Sequence, residues 1–221
     1  MSFNYSHSEE NYLKTIFHLQ LEYQTVTTNA LAEKLQARPA SITDMMKKLS
    51  AKKLLHYKPY YGFTLSAEGK RVAIDIIRRH RLWEFFLAEK LHFGWDEVHV
   101  LAEELEHVSS KKLIDKLDEY LGYPGFDPHG DPIPDSKGKI TTGKVYSLSE
   151  APLNTSLQVS RISNQSHEFL ELLKHKGLGI GTQLEIRKRF DFDGSLQVKL
   201  KPGGAETFSE QLAQHIHVKK D

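Results

Sequence analysis

The chain has 221 residues, 39% of them hydrophobic and 27% charged, which suits one large domain or two to three small ones with folded cores. Lys and Arg number 30 against 29 Asp and Glu, so the formal net charge of +1 offers no global attraction to nucleic acid and any basic surface must be local. With no cysteine, a disulfide framework and a thiolate metal site are both excluded. The opening MSFNYSHSEE lacks the basic and apolar blocks of a signal peptide, and no apolar run reaches the ~20 residues of a membrane span. A soluble, cytoplasmic protein without membrane partners is expected.

Ser8, followed by Glu9 and Glu10, reads as the N-cap of a first helix whose apolar stripe is Tyr12, Leu13, Ile16, Phe17 and Leu19. A second helix starts near Thr27 or Thr28 and carries Ala30, Leu31 and Leu35. Pro39 suits the first turn of a third helix running to about Ala51, with Ile42, Met45, Met46 and Leu49 inward. Residues 54–65 read as two short strands around a turn containing Pro59 and Gly62. Three short helices and a hairpin make a winged helix-turn-helix over residues 1–65.

Ser66 opens a long helix to about Leu91, broken at Gly94, and two more span about Asp96–Val108 and Ser110–Leu121. Residues 122–147 are rich in Gly, Pro and Asp and read as a linker or long loop. Strands are expected at 157–162, 183–186 and 195–200, with one helix from Ser166 to Lys176 and the Gly177, Gly179, Gly181 turn before the second strand. The fold class is mainly α with β: a winged helix-turn-helix, a helical middle domain over 66–147, and a small β-barrel over 148–221. Trp83 and Trp95 are expected to pack the middle domain.

The third helix is the candidate DNA reader. Ala40, Ser41, Thr43, Asp44 and Lys47 lie toward its outer side, and short side chains of this kind permit close approach to base edges. Thr28, Lys48 and Lys58 are candidate phosphate contacts, and Arg38 could serve either purpose.

His99, Glu103, Glu106 and His107 fall at i, i+4, i+7 and i+8, on one helix face. His80 and Glu84 repeat the i, i+4 spacing on the preceding helix. Imidazoles and carboxylates together suit Mn(II), Fe(II), Zn(II) or Co(II). The plainer readings are a solvated helix face for the first set and a surface salt bridge for the second. No HExxH motif is present, and a metallohydrolase would find both carboxylate clusters consumed as ligands, so an enzyme is not expected. A winged-helix regulator that ignores metal is the other alternative.

The chain resembles the diphtheria-toxin-repressor family of metal-dependent transcriptional repressors over nearly its full length. The stretches that carry the resemblance are Glu10–Ile16, Arg79–Glu84, Glu103–Val108 and the loop Asp127-Pro128-His129-Gly130-Asp131-Pro132-Ile133-Pro134. The resemblance implies an SH3-like third domain and a homodimer on double-stranded operator DNA, with half-sites roughly 34 Å apart. It implies two metal sites: a primary site of Asn11, Glu103, Glu106 and His107, and an ancillary site of His80, Glu84 and His99, with Gln165 or Glu168 of the third domain as further donors. Iron-sensing members carry Cys where this chain has Glu103, so the resemblance points to Mn(II) as the signal and Fe(II) as second candidate. Lys14 stands where short manganese sensors carry a second carboxylate, so their two-metal cluster is not expected. The implied function is metal-dependent repression of metal-uptake genes.

Overall fold

The structure, a computed structural model, describes residues 5–58, 61–107, 110–141 and 143–221. Three helices open the chain: α1 (His7–Glu22), α2 (Thr28–Lys34) and α3 (Pro39–Ala51). Ser6, not Ser8, caps α1. Its hydroxyl accepts from the Glu9 N–H at 3.3 Å while the Glu9 carboxylate accepts from the Ser6 N–H at 2.9 Å, a reciprocal pairing that satisfies two otherwise orphaned donors. Thr27 caps α2, and Pro39 occupies the first turn of α3.

The hairpin of β1 (Leu55–Lys58) and β2 (Gly62–Leu65) is antiparallel, with Leu55 opposite Leu65. Val26 pairs with Phe63 and so ties the segment before α2 to the wing. Turn residues 59 and 60 lie outside the described residues. Leu13 and Ile16 of α1, Leu31 of α2, Ile42, Met46 and Leu49 of α3 and Phe63 of β2 form one buried core.

The long helix α4 (Ala67–Leu91) is the spine of the molecule. Its first turns lend Val72, Ala73 and Ile76 to the N-terminal core. Further along, Leu82 packs with Ile114, Leu117 and Ile133, and Leu87 packs with Val98 and Ala102. These partners belong to α5 (Val98–Glu106), α6 (Lys111–Tyr120) and the loop beyond. The expected end of α5 at Val108 lies outside the described residues, and the helix itself closes at Glu106.

The segment expected to be a linker or long loop is a loop, and it is packed against the rest of the molecule. Asp127, His129 and Asp131 are buried, and the Asp127 Oδ1 accepts from the N–H groups of both His129 and Asp131 at 2.9 Å. Gly, Pro and Asp signal a chain that leaves helix and sheet; here they build a tight turn closed on its own backbone. Trp95 packs against the C-terminal core, not solely within the middle domain.

The C-terminal domain is a six-stranded antiparallel sheet in the order β3-β8-β4-β5-β6-β7. The strands are β3 (Tyr146–Ser147), β4 (Leu157–Ile162), β5 (Gln183–Arg189), β6 (Leu196–Lys201), β7 (Ala205–Phe208) and β8 (Ile216–Lys220), with helices α7 (His167–His175) and α8 (Glu210–Gln214). Register shifts between Val159 and Arg161 and between Ile186 and Lys188 curve it. Leu170 and Leu173 of α7 cap a core of Leu157, Val159, Leu184, Ile186, Val198 and Phe208. β3, β7, α8 and β8 are additional to the elements expected from sequence.

Candidate metal centre and nucleic-acid face

Helix periodicity brings His80 and Glu84 onto the α4 face that meets α5. Glu84 Oε1 lies 3.0 Å from His80 Nε2 and 3.2 Å from His99 Nδ1, and the two rings approach to 3.1 Å. His80 Nδ1 donates to Glu106 Oε2 at 2.7 Å. Burial opposes a charged imidazole, but Glu84 and Glu106 outweigh it and raise the His80 pKa to about 9. Burial likewise raises the carboxylates, yet His80 holds both Glu84 and Glu106 below the usual range.

The other side of Glu84 faces the 127–133 loop. His129 is fully buried, and its Nε2–H donates to the Trp95 carbonyl at 2.7 Å. A carbonyl only accepts, so Nε2 carries a proton in this bond. The His129 Nδ1 has no hydrogen-bond partner and stands 3.8 Å from Glu84 Oε1. Glu84 Oε2 and Asp127 Oδ2 are also buried without a hydrogen bond. Burial, then Glu84 and Asp131, push the Asp127 carboxyl well above its ordinary value, while Arg81 works against the rise from 3.6 Å.

One ligand atom each from Glu84, Asp127 and His129 lie within 4.8 Å of one another, as do one each from His80, Glu84 and His99. Buried lone pairs left unpaired are costly, and converging ones fit a divalent cation. The donors are nitrogen and oxygen throughout, which suits a hard or borderline ion. Asp127 and His129 were not among the ligands expected from sequence. Their signal was present in the Asp127–Pro134 motif, but no helical spacing links them to Glu84.

The set Asn11, Glu103, Glu106 and His107 is arranged differently. Asn11, Glu103 and His107 line a shallow cavity of about 460 Å³ with His7 and Val100. The Glu103 side chain is 52% exposed. Glu106 is buried, with Oε1 accepting from Lys14 Nζ at 2.7 Å and Oε2 accepting from His80. His107 Nδ1 lies 2.6 Å from Glu10 Oε2, so the α1 carboxylate beside His107 comes from Glu10, while Asn11 lines the cavity wall. Both carboxylate oxygens of Glu106 are therefore held by N–H donors, and His107 Nδ1 is taken by Glu10.

In the third domain, Gln165 Nε2 donates to Asp131 Oδ2 at 3.1 Å, next to the buried loop. Glu168 instead lines a separate cavity of about 300 Å³ with Phe169, Leu172 and His215.

On the helix-turn-helix, Arg38, Ala40, Ser41, Lys48 and Lys58 are exposed, whereas Thr28 and Thr43 are half-buried. The Thr43 hydroxyl donates to its own helix, at Pro39 O, 3.0 Å away. Lys48 reaches back to Glu9 at 3.2 Å, so it also braces α3 against α1.

Residues 4–63 match the family model described as iron dependent repressor, N-terminal DNA binding domain. Residues 66–135 match iron dependent repressor, metal binding and dimerisation domain, and residues 146–220 match the FeoA domain. The iron-dependent repressor IdeR of Mycobacterium leprae is 24% identical, aligned over 96% of each chain. The HTH-type transcriptional regulator MntR of Oceanobacillus iheyensis is 32% identical over 52% of this chain and 78% of its own. A solved manganese-dependent transcriptional repressor in complex with manganese superposes with a TM-score of 0.89 at 32% identity, covering 96% of this chain and 100% of its own. No helix among the described residues is long and apolar enough to cross a membrane. Domain order, fold and sequence agree over the whole length: the chain belongs to the iron-dependent repressor family of metal-dependent, DNA-binding transcriptional repressors, proteins that regulate rather than catalyse.

Proposed function

We propose that this chain is a cytoplasmic homodimeric repressor that binds operator DNA when Glu84, Asp127 and His129, with His80 and His99 beside them, hold a divalent ion. Mn(II) is the first candidate and Fe(II) the second, and the regulated genes are those for metal uptake. The carrying observation is that Glu84, Asp127 and His129 bring ligand atoms within 4.8 Å of one another, and that each of the three keeps a buried polar atom without a hydrogen-bond partner. Carboxylate donors favour Mn(II) by ligand type, and the manganese-dependent repressor that this chain resembles was solved in complex with manganese. We divide the chain at 1–65, 66–147 and 148–221 into DNA-reading, ion-binding and SH3-like units.

A bound divalent ion would supply positive charge that neutralises Glu84 and Asp127 and fastens the loop to α4. The chain's own residues carry the consequence toward DNA. His80 joins Glu84 to Glu106, and Lys14 joins Glu106 to α1. Glu9 of α1 then grips Lys48 and Lys52 at the end of the recognition helix α3, at 3.2 and 2.6 Å. An ion that binds one arrangement of these links better than another shifts the population of DNA-competent dimers by its differential affinity. Ala40, Ser41 and Thr43 would then face base edges, with Thr28, Arg38, Lys48 and Lys58 toward phosphates. Leu113, Tyr120, Tyr123 and Phe126, on α6 and in the segment after it, are each exposed large apolar side chains, which supports pairing with a second copy.

The test is fluorescence anisotropy on DNA selected from random sequence with Mn(II) present. Mn(II), anaerobic Fe(II) and Zn(II) are titrated at fixed salt, each with an EDTA control, because phosphate contacts make affinity salt-dependent. Mn(II) should tighten binding at least tenfold, and Asp127→Ala should remove that response while leaving circular dichroism unchanged. Equal binding in EDTA would mean a winged-helix regulator that ignores metal.

A further inference from the structure

We propose that Lys14 is a tethered cation that fills the Glu103–Glu106–His107 cluster, making it a metal-free strut between α1 and the middle domain. The ammonium sits 2.7 Å from Glu106 Oε1 and 3.5 Å from Glu103 Oε1. An ammonium has three donors and no acceptor, so it can bridge carboxylates as a small cation does. Its side chain is only 13% exposed, and that of Glu106 is not exposed at all.

The surrounding groups complete the balance. His80 takes the other oxygen of Glu106, and the His107 Nε2 lies 3.4 Å from the oxygen that Lys14 holds. Glu10 occupies His107 Nδ1 at 2.6 Å and lies 3.4 Å from Arg79 Nη1, which also donates to the Glu106 carbonyl at 2.9 Å. The rings of His7 and His107 stack at 4.6 Å, a further tie from α1. The carboxylates here are answered by side chains of the protein, and every oxygen of Glu106 has a donor. At the Glu84, Asp127 and His129 site the opposite holds: one polar atom of each is buried with no hydrogen-bond partner.

The two clusters therefore differ in what completes them. One is closed by Lys14; the other is open to an ion. Resting on the metal-site reading above, the chain then takes one divalent ion where its ligand types could have held two. The link from α1 to α5, which helps set how the DNA-reading domain sits on the middle domain, is made by side chains of the protein and needs no ion of its own.

The experiment counts bound ions on the full-length protein by the loss of the free Mn(II) electron paramagnetic resonance signal. Wild type and His107→Ala should each saturate at about one ion per chain, and Lys14→Met should gain a second. Lys14→Arg, which keeps the cation, should stay at one. Thermal melts in EDTA give a second readout: Lys14→Met should melt lower than wild type, with Mn(II) restoring the difference. Two ions on wild type, loss of the ion in His107→Ala, or no gain in Lys14→Met would overturn the proposal. Asp127→Ala separates the two readings. Should it keep the ion while Lys14→Met gains another, the strut survives and the site assignment above fails; should it lose the ion, as expected, that assignment stands whatever Lys14→Met does.

Discussion

Glu9 joins a cap to an interdomain-style brace within one side chain. It closes the capping box with Ser6 and receives Lys52 at 2.6 Å and Lys48 at 3.2 Å. Burial pushes its carboxyl up, but Lys52, the Ser6 N–H and Lys48 outweigh that and hold the pKa near 2, against 4.5 ordinarily. A carboxylate with a depressed folded pKa contributes stability that is present above the unfolded value and is lost as pH falls through the folded one. Glu9→Gln should therefore cost roughly 1 to 2 kcal/mol at pH 7, with the gap to wild type narrowing below pH 4.5 and closing near pH 2. Urea melts at a series of pH values check this; a gap that does not change with pH would assign Glu9 a packing role alone. At this scale the sequence is partly legible. His80 and Glu84 on α4, and His99 with Glu103 on α5, are found by i, i+4 spacing, while their joining into one set comes from the family resemblance. Asp127 and His129 are not found by spacing, because a loop has no period and only the folded turn aims them at Glu84. Lys14 beside Glu106 is a contact across 92 residues of chain, visible in sequence only as a missing carboxylate.

Among the elements, α4 shows how a local rule yields to tertiary packing. Gly69 lies in its first turns, where glycine ordinarily costs helix stability relative to alanine. A Cβ there would lie 1.9 Å from the Leu54 carbonyl oxygen and 3.3 Å from Leu65 Cδ2. The helix therefore crosses the base of the wing at backbone contact, and the missing side chain is what lets Val72, Ala73 and Ile76 reach the N-terminal core. Gly69→Ala should destabilise by about 2 kcal/mol or more, opposite in sign to the helix-propensity gain, because backbone must move. A calorimetric melt decides the sign. Element existence was well marked by apolar spacing: α1 to α6, the wing, β4 to β6 and α7 all follow from it. The short pieces β3, β7, α8 and β8 were not; β3 and β7 are defined by pairing with β8 and β6 rather than by their own apolar spacing.

Across the molecule, the third domain is joined to the candidate metal centre through the 127–133 loop. The Ile162 N–H donates to the His129 carbonyl at 2.9 Å, Arg161 Nε lies 2.7 Å from Asp131 Oδ1, and Gln165 donates to the same carboxylate. Gly130 sits at the contact. Its φ is +83°, and a Cβ there would stand 2.0 Å from the Ser160 carbonyl oxygen. An L side chain is strained in that backbone region and would also push β4 away. Because His129 and Asp127 flank this point, displacement of the sheet must move both candidate ligands relative to Glu84. Gly130→Ala should weaken Mn(II) binding by at least tenfold, about 1.4 kcal/mol, while the N-terminal domain keeps its fold and its metal-independent affinity for DNA. Mn(II) titration of the intact variant measures this. Unchanged affinity would mean that the loop holds its shape without the third domain, and that the SH3-like unit serves the centre by some other route than bracing it.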